Sequence, residues 1–466
     1  MRVCLISREY PPASGWGGIA TYTYHQAHGL QEIGHEVEVF ALAALDTAGV
    51  TSLEDGITVH RVAYDDALND LKIMQTGVPF THYVLKHVLA LAQKVFEVHS
   101  QNPFDVAEAA EHLAEGLGIA VTGTMPLVIR LHTPQSKLIA EKFHNLTASF
   151  DQESVAILER LAMNGCDVLT SPSEDMARYV AEDLGCQLDS IDLIRNPVDT
   201  EKFCPEGRRA LAYGDQQIVL FVGRLEERKG VHYLVKAIPQ IVAEHHKVHF
   251  VFIGSDTDNG AGQRSVLAEL RASLQDSGAT EKVTFIPQVP LAEIADYYRS
   301  ADICVLPSLY DNAPCTCLEA MSVGKPVITT SSGGSSEYVI DGECGTVVPP
   351  RDEKQLAAAI IDLLKNKEKR LTLGKGGRER VLLNYKRTTI AANSLPSYNR
   401  AIENHQVSKN RAMYLKGGVN FLRDTHQLLK SYEQMLYNLL YVQSAEFRLK
   451  HRIERAKGMV KTWTGS

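Results

Sequence analysis

The segment LYDNAPCTCLEAMSVGKPVITTSSGGSSEYVIDG, residues 309–342, says more about the fold than any other part of the chain. Two carboxylates, Asp311 and Glu319, flank a short irregular run followed by residues that can begin a helix. The apolar run 326–328 has the composition of a strand, and the glycine pair 333–334 closes the unit. We therefore predict a loop at Asp311, a helix whose first turns contain Glu319, and a strand after that helix.

The beginning of this helix predicts an anion-binding site. The first backbone N–H groups of a helix have no intrahelical acceptor, so those of Cys315 and Thr316 can bind a phosphate. Carboxylates on either side of them can accept hydrogen bonds from sugar hydroxyls. For either acid alone the alternative is a structural role, because acids near a helix N-terminus interact favourably with the helix dipole.

The composition is that of a globular enzyme with more than one domain. A chain of 466 residues exceeds the usual size of one hydrophobic core. Its formal net charge of −8 argues against a general nucleic-acid-binding protein. There is no run of 18 apolar residues and no signal-peptide pattern, and the eight cysteines are scattered. We therefore expect a cytoplasmic protein with reduced thiols.

Strand and helix patterns alternate along the chain, which predicts parallel sheets covered by helices. Strands are expected at 3–7, 36–42, 58–62, 126–132, 167–173, 218–223, 248–254, 283–287, 303–308 and 326–330. Helices are expected at 19–33, 82–97, 153–163, 230–245, 263–276, 290–300 and 353–365. The predicted fold class is α/β, with two Rossmann-like doubly wound domains facing across a ligand cleft and a C-terminal helical extension. We place these three parts at residues 1–197, 198–400 and 401–466.

Two features of the N-terminal half lie where such a cleft would need them. The motif GWGGIATY (15–22) follows the first strand, and Gly17 and Gly18 would allow a ligand close to the backbone. A glycine-rich turn is often only structural, so this signal is weak alone. His132 ends the predicted strand PLVIRLH, where a lone histidine is usually a packing or surface residue.

A basic motif, GRLEERKG (223–230), follows the strand IVLFV in the C-terminal half. Arg224 and Lys229 can converge on a diphosphate, the arginine by bidentate donation and the lysine as a point charge. The alternative is a solvated basic turn, because Glu226 and Glu227 could neutralise both cations locally. Charge alone favours that alternative.

The acid-x7-acid pattern from Asp311 to Glu319, the order of these motifs and the two-domain pattern resemble the retaining family-4 glycosyltransferases, which have the GT-B fold. The resemblance covers roughly residues 1–400. It implies a polysaccharide-biosynthesis type of enzyme that transfers a sugar from a nucleoside-diphosphate donor to a hydroxyl group. A UDP-sugar is favoured as donor before a GDP-sugar. The acceptor would be a glycan, a lipid-linked sugar or a small molecule, and no cofactor or essential metal ion is expected.

The resemblance also implies roles for single residues of the donor side. Glu319 would hold the ribose hydroxyls, Asp311 would face the donor sugar, and the amides of Cys315 and Thr316 would contact phosphate and sugar. Two departures from the family pattern matter. The first acid is Asp rather than Glu, which shortens its reach by one methylene. Pro314 replaces a common glycine and has no N–H, so one backbone contact to the sugar should be missing.

For the remaining motifs the resemblance replaces the structural alternatives with catalytic ones. Arg224 and Lys229 would clamp the diphosphate and stabilise the leaving group, as a metal ion does in other transferases. Gly17 and Gly18 would lie near the donor phosphate and the acceptor. His132 would meet the donor sugar from the opposite wall of the cleft.

Two acidic features carry weaker expectations. The triplet Asp256-Thr257-Asp258 has the D-x-D form of a metal site, but it opens a polar segment after a strand, and Arg224 and Lys229 already suit the diphosphate. We predict no metal site there. Glu174 is a weaker site candidate, and the alternative is a structural acid at a helix N-terminus after Ser173.

The last segment, 405–466, is basic and has no counterpart in the resemblance. It holds eleven Lys or Arg residues and four acids, so it carries +7 while the rest of the chain carries −15. Apolar positions from Leu422 to Val442 suit an amphipathic helix, and the end RLKHRIERAKGMVKTW suits an anionic membrane surface. The alternative is a solvated helix packed on the acidic body or on a second subunit.

Two other functions remain open at this stage. A non-catalytic subunit that binds a nucleotide sugar and assists an active enzyme would explain the shortened acid and Pro314. A nucleotide-sugar epimerase with the same fold would need its own catalytic acids. Donor turnover by the purified protein separates the first from a transferase, and a changed sugar without acceptor would indicate the second.

Overall fold

The structure is a computed structural model that describes residues 1–12, 17–44, 48–63, 70–142, 149–258, 264–407 and 430. The N-terminal strands are β1 (Arg2–Ile6), β2 (Glu36–Leu42), β3 (Val50–Glu54), β4 (Ile57–Val62), β5 (Val106–Ala110), β6 (Leu127–Arg130), β7 (Val168–Ser171) and β8 (Ile191–Leu193). They form one sheet in the order β3-β4-β2-β1-β5-β6-β7-β8. All neighbours in it are parallel except β3 and β4.

A second sheet follows in the C-terminal half. Its strands are β9 (Gln217–Val222), β10 (Val248–Ile253), β11 (Val283–Ile286), β12 (Ile303–Leu306), β13 (Val327–Thr330) and β14 (Gly345–Val348). Their order is β11-β10-β9-β12-β13-β14, and every pair is parallel. The order changes direction at β9 and β12, so the carboxyl ends of these two strands flank the place where ligands bind in such sheets.

Helices cover both faces of each sheet. They are α1 (Gly18–Glu32), α2 (Lys72–Gly77), α3 (Pro79–Gln101), α4 (Leu117–Thr122), α5 (Gln135–Lys142), α6 (Phe150–Gly165), α7 (Glu174–Leu184), α8 (Val231–Glu244), α9 (Val266–Asp276), α10 (Leu291–Ser300), α11 (Cys315–Ser322), α12 (Ser335–Tyr338), α13 (Glu353–Lys365), α14 (Lys367–Asn384) and α15 (Arg387–Val407). In β9, Val219 and Phe221 enter one apolar cluster, while Ile218 and Leu220 enter another on the opposite face. Successive side chains of a strand point to opposite faces, so an uninterrupted apolar strand is buried on both sides.

The predicted fold class is confirmed, and the expected strands and helices occur with small shifts at their ends. Four strands were not predicted. β3 pairs with β4 through a two-residue turn in which Asp55 and Gly56 have φ of 49° and 84°. Two positive φ values are typical of the hairpin turn that Asp-Gly favours, so this signal was present in the sequence. β5 (VAEAA) is rich in alanine, β8 has three residues, and β14 begins with glycine, so their strand propensity is low.

The chain crosses between the two sheets twice. The first crossing runs from Leu193 to Gln217, and the second leads into α15, which lies on the N-terminal domain against α1. The two crossings meet where the N–H of Val198 donates to the carbonyl of Tyr385 at 2.9 Å. Much of α15 was assigned by sequence to the C-terminal domain 198–400. Its burial of Ala391 and Tyr398 against the N-terminal sheet explains why it returns there.

The predicted C-terminal extension falls, apart from residues 401–407 and Lys430, outside the described residues. α15 ends at Val407, and Lys430 Nζ lies 2.8 Å from Asp70 Oδ2. Across the described ranges, no helix has both the length and the apolar character that crossing a bilayer requires.

Candidate active site

Asp311 lies in the loop between β12 and α11, as the pattern of the segment 309–342 predicts. The ammonium of Lys229 forms an ion pair with Asp311, and Arg228 Nη1 lies 3.5 Å from its other oxygen. Burial by itself would raise the pKa of this carboxyl, but the two cations hold the pKa of Asp311 below its ordinary value. Asp311 is therefore an ionised acid beside two positive charges.

A tight turn after β9 brings Lys229 to Asp311. Residues 227–229 form one 3₁₀ turn, which ends at Gly230 with φ of +67°. A Cβ atom at Gly230 would overlap the carbonyl oxygen of Pro307, just beyond β12. Glycine is therefore required both for the left-handed backbone and for the close approach of the two strand ends. The N–H of Leu309 donates to the carbonyl of Arg228 at 2.8 Å and ties the two loops together.

Arg224 lies at the surface of the same region, with 62% of its side chain exposed. Glu226 is buried and accepts from Arg228 at 2.7 Å, while Arg224 lies 3.5 Å from the same oxygen. Burial would raise the pKa of Glu226, but Arg228, Arg224 and Lys229 lower it below its ordinary value. Glu226 therefore neutralises mainly Arg228 and to a smaller extent Arg224. Sequence reasoning missed Arg228. Arg224 keeps the exposure that a ligand contact needs.

The two remaining elements of the acid-x7-acid segment lie in α11. Pro314 precedes the helix, so Cys315 and Thr316 are its first two residues, whose N–H groups have no acceptor within the helix. Glu319 follows one turn later and is buried. The hydroxyl of Tyr298 donates to Glu319 Oε2 at 2.8 Å, and burial raises the pKa of Glu319 to about 7.

His132 lies two residues beyond β6, at the edge of the N-terminal sheet. Its N–H donates to Glu111 Oε2 at 2.7 Å, and its ring packs edge-on against Tyr22 with 5.4 Å between centroids. Burial lowers the pKa of His132 well below its ordinary value, and the charge of Arg130 and the nearby His112 lower it further. The imidazole of His132 is therefore neutral near pH 7.

Asn312 joins the two walls of the cleft. Its amide nitrogen donates to the carbonyl of His132, and its oxygen accepts from Ser173 Oγ at 2.5 Å. Asn312 belongs to the C-terminal domain and both partners belong to the N-terminal domain. The structure thus brings Asp311 and His132 into one site, because Asn312, the residue after Asp311, is hydrogen-bonded to the backbone of His132. Sequence reasoning missed Asn312, because nothing local distinguishes it from an ordinary turn residue.

The glycine motif is described only in part, because residues 13–16 fall outside the described ranges. Gly17 precedes α1 with an ordinary φ of −79°, and a Cβ atom there would lie 3.1 Å from Glu9 Oε2. At Gly18, no described atom lies within 4 Å of a built Cβ. Within the described part of the chain, nothing therefore blocks a ligand from approaching the backbone at Gly18.

The two weaker candidates lie at helix N-termini: Asp256 contacts that of α9, and Glu174 begins α7. Asp256 accepts from the N–H groups of Thr257 and Leu267 and from Ser265 Oγ, so its carboxylate caps the beginning of α9. Among the described residues, no group of three or more His, Cys, Asp or Glu could hold a metal ion. Glu174 begins α7, and its N–H donates to Glu337 Oε2 of the other domain at 2.9 Å.

The segment after β5, residues 111–116 of the N-terminal domain, holds further residues that sequence reasoning missed. Leu113 and Ala114 have φ of 54° and 56°, which is rare and strained for residues with a side chain. Glu115 is 2% exposed, and neither of its oxygens has a well-formed hydrogen bond to a described residue. Burial lowers the pKa of His112 to about 4, and the charges of Arg8 and Arg224 add to this effect.

Comparisons with known proteins show which family the chain belongs to. The family model described as Glycosyltransferase Family 4 matches residues 16–202, and the one described as Glycosyl transferases group 1 matches residues 206–380. The chain belongs to the family-4 glycosyltransferases. It is thus a transferase with the GT-B fold, in which the first model corresponds to the N-terminal domain and the second to the C-terminal domain.

Relatives and solved structures extend over most of this glycosyltransferase. It is 27% identical over 409 residues to glycogen synthase of Mycobacterium tuberculosis, covering 85% of this chain and 94% of that protein. It is 25% identical over 429 residues to D-inositol 3-phosphate glycosyltransferase of Stackebrandtia nassauensis, covering 88% and 94%. The sucrose-phosphate synthase structure from Thermosynechococcus elongatus matches with TM-score 0.67 and 23% identity, covering 86% and 99%. Anabaena HepE in complex with UDP-glucose matches with TM-score 0.63 and 19% identity, covering 85% and 100%.

Proposed function

We propose that this protein is a retaining glycosyltransferase that moves a sugar from a nucleoside-diphosphate donor to a hydroxyl group. One observation carries the proposal. The ionised Asp311, the ammonium of Lys229 and the first N–H groups of α11 converge on one side of a cleft that has His132 on the other. Cations and helix amides suit a diphosphate, and a carboxylate suits sugar hydroxyls.

In the proposed reaction the bond from the anomeric carbon to the diphosphate oxygen breaks, and the acceptor oxygen bonds to the same face of that carbon. The bonding electron pair leaves with the nucleoside diphosphate. The proton of the acceptor hydroxyl goes to a phosphate oxygen of the leaving nucleotide. Lys229 and Arg224 would stabilise the developing negative charge, so that no metal ion is essential.

The other site residues are proposed to orient the donor. Glu319 would bind the ribose hydroxyls with the oxygen that Tyr298 does not occupy, and Asp311 and His132 would bind the donor sugar from opposite walls. If the bound diphosphate replaces Asp311 as the partner of the Lys229 ammonium, Asp311 still has the charge of Arg228 beside it and stays ionised. Gly17 and Gly18 would lie beside the donor phosphate. Closure of the cleft would exclude water, which otherwise hydrolyses the donor.

A UDP-sugar is proposed as the donor before a GDP-sugar, and HepE, which shares the fold, has been solved with UDP and with UDP-glucose. Glycans, lipid-linked sugars and small molecules are the proposed acceptor classes. The names of two relatives, glycogen synthase and D-inositol 3-phosphate glycosyltransferase, support the first and the last of them. The first test is a thermal-shift screen against UDP, GDP and ADP, followed by donor turnover with and without acceptors. Binding without any turnover would favour the non-catalytic subunit, and a changed sugar without acceptor would favour the epimerase.

We also propose that the basic segment 405–466 is a contact element, either for a second subunit or for an anionic membrane surface, and the membrane contact is tested first. The purified protein should then sediment with anionic vesicles and not with neutral ones, and less so as salt rises, because exposed charges are screened over about 8–10 Å at physiological ionic strength. Changing Lys450, Arg452, Arg455 and Lys457 to Glu should release it and leave transfer to a soluble acceptor unchanged. If those changes instead split an oligomer on a sizing column, the segment is a subunit contact.

A further inference from the structure

The interdomain bond of Asn312 is specific in its chemistry. Asn312 is 6% exposed, so its amide must find partners within the protein. Its nitrogen donates to the carbonyl of His132 and its oxygen accepts from the hydroxyl of Ser173. A carboxylate of the same shape could accept from Ser173 but could not donate to His132. The nitrogen and the oxygen of the amide are therefore both hydrogen-bonded, the nitrogen to the segment after β6 and the oxygen to the segment after β7.

The loop that carries Asn312 is itself held firmly in the C-terminal domain. Gly333 has φ of +67°, and the N–H of Gly334 donates to the carbonyl of Asp311 at 3.0 Å. A Cβ atom at Gly333 would overlap the carbonyl oxygen of Asp311, and one at Gly334 would overlap that of Asn312. The glycine pair therefore lets the turn before α12 pack directly on residues 311–312. Asn312 and Asp311 are therefore held in place together by the same packing contacts.

His132 is held from two sides. Its N–H donates to Glu111, its carbonyl accepts from Asn312, and its ring packs on Tyr22. The contact to Asn312 is the one among these three that comes from the donor-binding domain. It therefore relates the imidazole to Asp311, the acid immediately before Asn312.

We propose that Asn312 is a positioning residue that sets His132 against the donor sugar when the two domains are closed. This inference rests on the proposed function, because it assumes that His132 acts on the sugar held by Asp311. Asn312 itself touches neither substrate nor the reacting atoms in this account. A displacement of about 1 Å of a reacting group can lower a rate about 100-fold, so loss of one positioning bond can affect turnover while leaving donor binding intact.

The structure provides a matched control. The hydroxyl of Tyr310 donates to Asp175 Oδ2 at 3.0 Å, a second hydrogen bond from the same loop to the N-terminal domain. It does not involve His132. Tyr310→Phe therefore weakens the same domain contact without releasing the histidine, whereas Asn312→Asp keeps the size of the side chain and removes the donor to His132.

The experiment measures kcat for transfer and the Kd for UDP in wild type, Asn312→Asp, Asn312→Ala and Tyr310→Phe. We expect both Asn312 variants to lower kcat roughly 10- to 100-fold with Kd for UDP within about twofold, and Tyr310→Phe to change kcat less than about threefold. In a His132→Ala background, Asn312→Ala should lower kcat by less than about threefold, because the group on which it acts is gone. Labelling histidines with ¹⁵N adds a readout independent of turnover: Asn312→Asp should shift the imidazole signals of His132, assigned through His132→Ala.

Three outcomes overturn the inference: a kcat for Asn312→Asp equal to that of Tyr310→Phe, additive losses in the double variant, or unchanged His132 signals. A general loss of folding would appear as a collapse of UDP affinity in both Asn312 variants, and it also counts against a specific positioning role. Failure of the proposed function has a different signature, since the wild-type protein would then bind no nucleoside diphosphate or turn over no donor.

Discussion

Asp311 and Glu115 are two acids on opposite walls of the cleft, and they differ in charge. We name the walls after their proposed roles, the donor wall in the C-terminal domain and the acceptor wall in the N-terminal domain. On the donor wall, Asp311 is buried beside Lys229 and Arg228, which keep its pKa low. On the acceptor wall, burial raises the pKa of Glu115 to about 8, and Arg8, at 3.9 Å, only partly offsets this. Asp311 is therefore a charged acid between two cations, whereas Glu115 is a buried acid whose neutral form is favoured. Different environments give the same functional group different chemistry, a charged carboxylate at Asp311 and a neutral carboxyl at Glu115.

The walls also differ in which residue types adopt positive φ angles. The donor wall has glycine at two positions of positive φ that its close loops require, Gly230 and Gly333, so these turns form without strain. The acceptor wall places Leu113 and Ala114 in the same left-handed region, at a cost of order 1–3 kcal/mol each. Such strain persists only when surrounding contacts impose it. Glu159 supplies one of these contacts, since it accepts from the N–H of Leu113 at 2.8 Å.

The largest expected effect tests the cations of the donor wall. Lys229→Ala or Arg224→Ala should lower kcat/KM about 100-fold, because each removes about 3 kcal/mol of stabilisation of the leaving diphosphate. The protein should stay folded, as judged by its melting temperature. Lys247→Ala is the control, since Lys247 pairs with Asp215 at an exposed position and should leave kcat/KM unchanged. Full activity in both site variants would contradict the assignment of Arg224 and Lys229 as the residues that bind the diphosphate.

A second prediction compares two glycines with the same backbone. Gly230 and Gly185 both have φ of +67°, but only Gly230 faces a carbonyl oxygen, while no described atom lies within 4 Å of a built Cβ at Gly185. Gly185→Ala should cost about 1 kcal/mol of unfolding free energy, and Gly230→Ala more than about 2 kcal/mol. Urea unfolding measures both. Equal costs would mean that the approach of the turn to Pro307 is not a constraint.

A third prediction concerns pH and the acceptor wall. Because the folded-state pKa of Glu115 is about 8 and lies above its ordinary value of 4.5, the folded protein binds a proton that the unfolded chain releases between these values. Glu115 thus makes stability fall as pH rises from about 5 to 8, by at most about 1.4 kcal/mol per pH unit.

Glu115→Gln should therefore raise the unfolding free energy at pH 8 relative to wild type and change it little at pH 5. Glu159, whose pKa burial also raises to about 8, gives the contrast. It accepts from the N–H groups of Leu113 and Gln135, so Glu159→Gln should lose one backbone hydrogen bond and destabilise at both pH values. The same pH slope in wild type and Glu115→Gln would contradict a neutral Glu115.

The smallest expected effect is that of a chelator. The carboxylate of Asp256 accepts hydrogen bonds at the beginning of α9, from Ser265 Oγ and from the N–H of Leu267. Lys229 and Arg224 are the proposed partners of the diphosphate. Transfer should therefore survive EDTA, apart from changes in product release. Activity that disappeared with EDTA and returned with manganese would reinstate a metal site at Asp256-Thr257-Asp258.

Much of the donor wall could be predicted from the sequence, because its signals are local. The loop at Asp311, the helix with Glu319 and the strand after it follow from residues within one segment, and the turn ending at Gly230 follows from another. The acceptor wall offered less. β5 is alanine-rich, and the positive φ values of Leu113 and Ala114 are imposed by contacts with residues such as Glu159, 46 positions away in the chain.

By itself the sequence determined the alternation of strands and helices, the two sheets and the order of the motifs, since these depend on periodicity and turn residues close along the chain. Only the tertiary structure decided that Arg228 shares Asp311 with Lys229, that α15 returns to the N-terminal domain, and that Asn312 reaches His132. The physical reason is that each of these contacts joins residues distant in sequence. Their energies depend on burial and on which group is already paired, and neither property is visible in the order of residues.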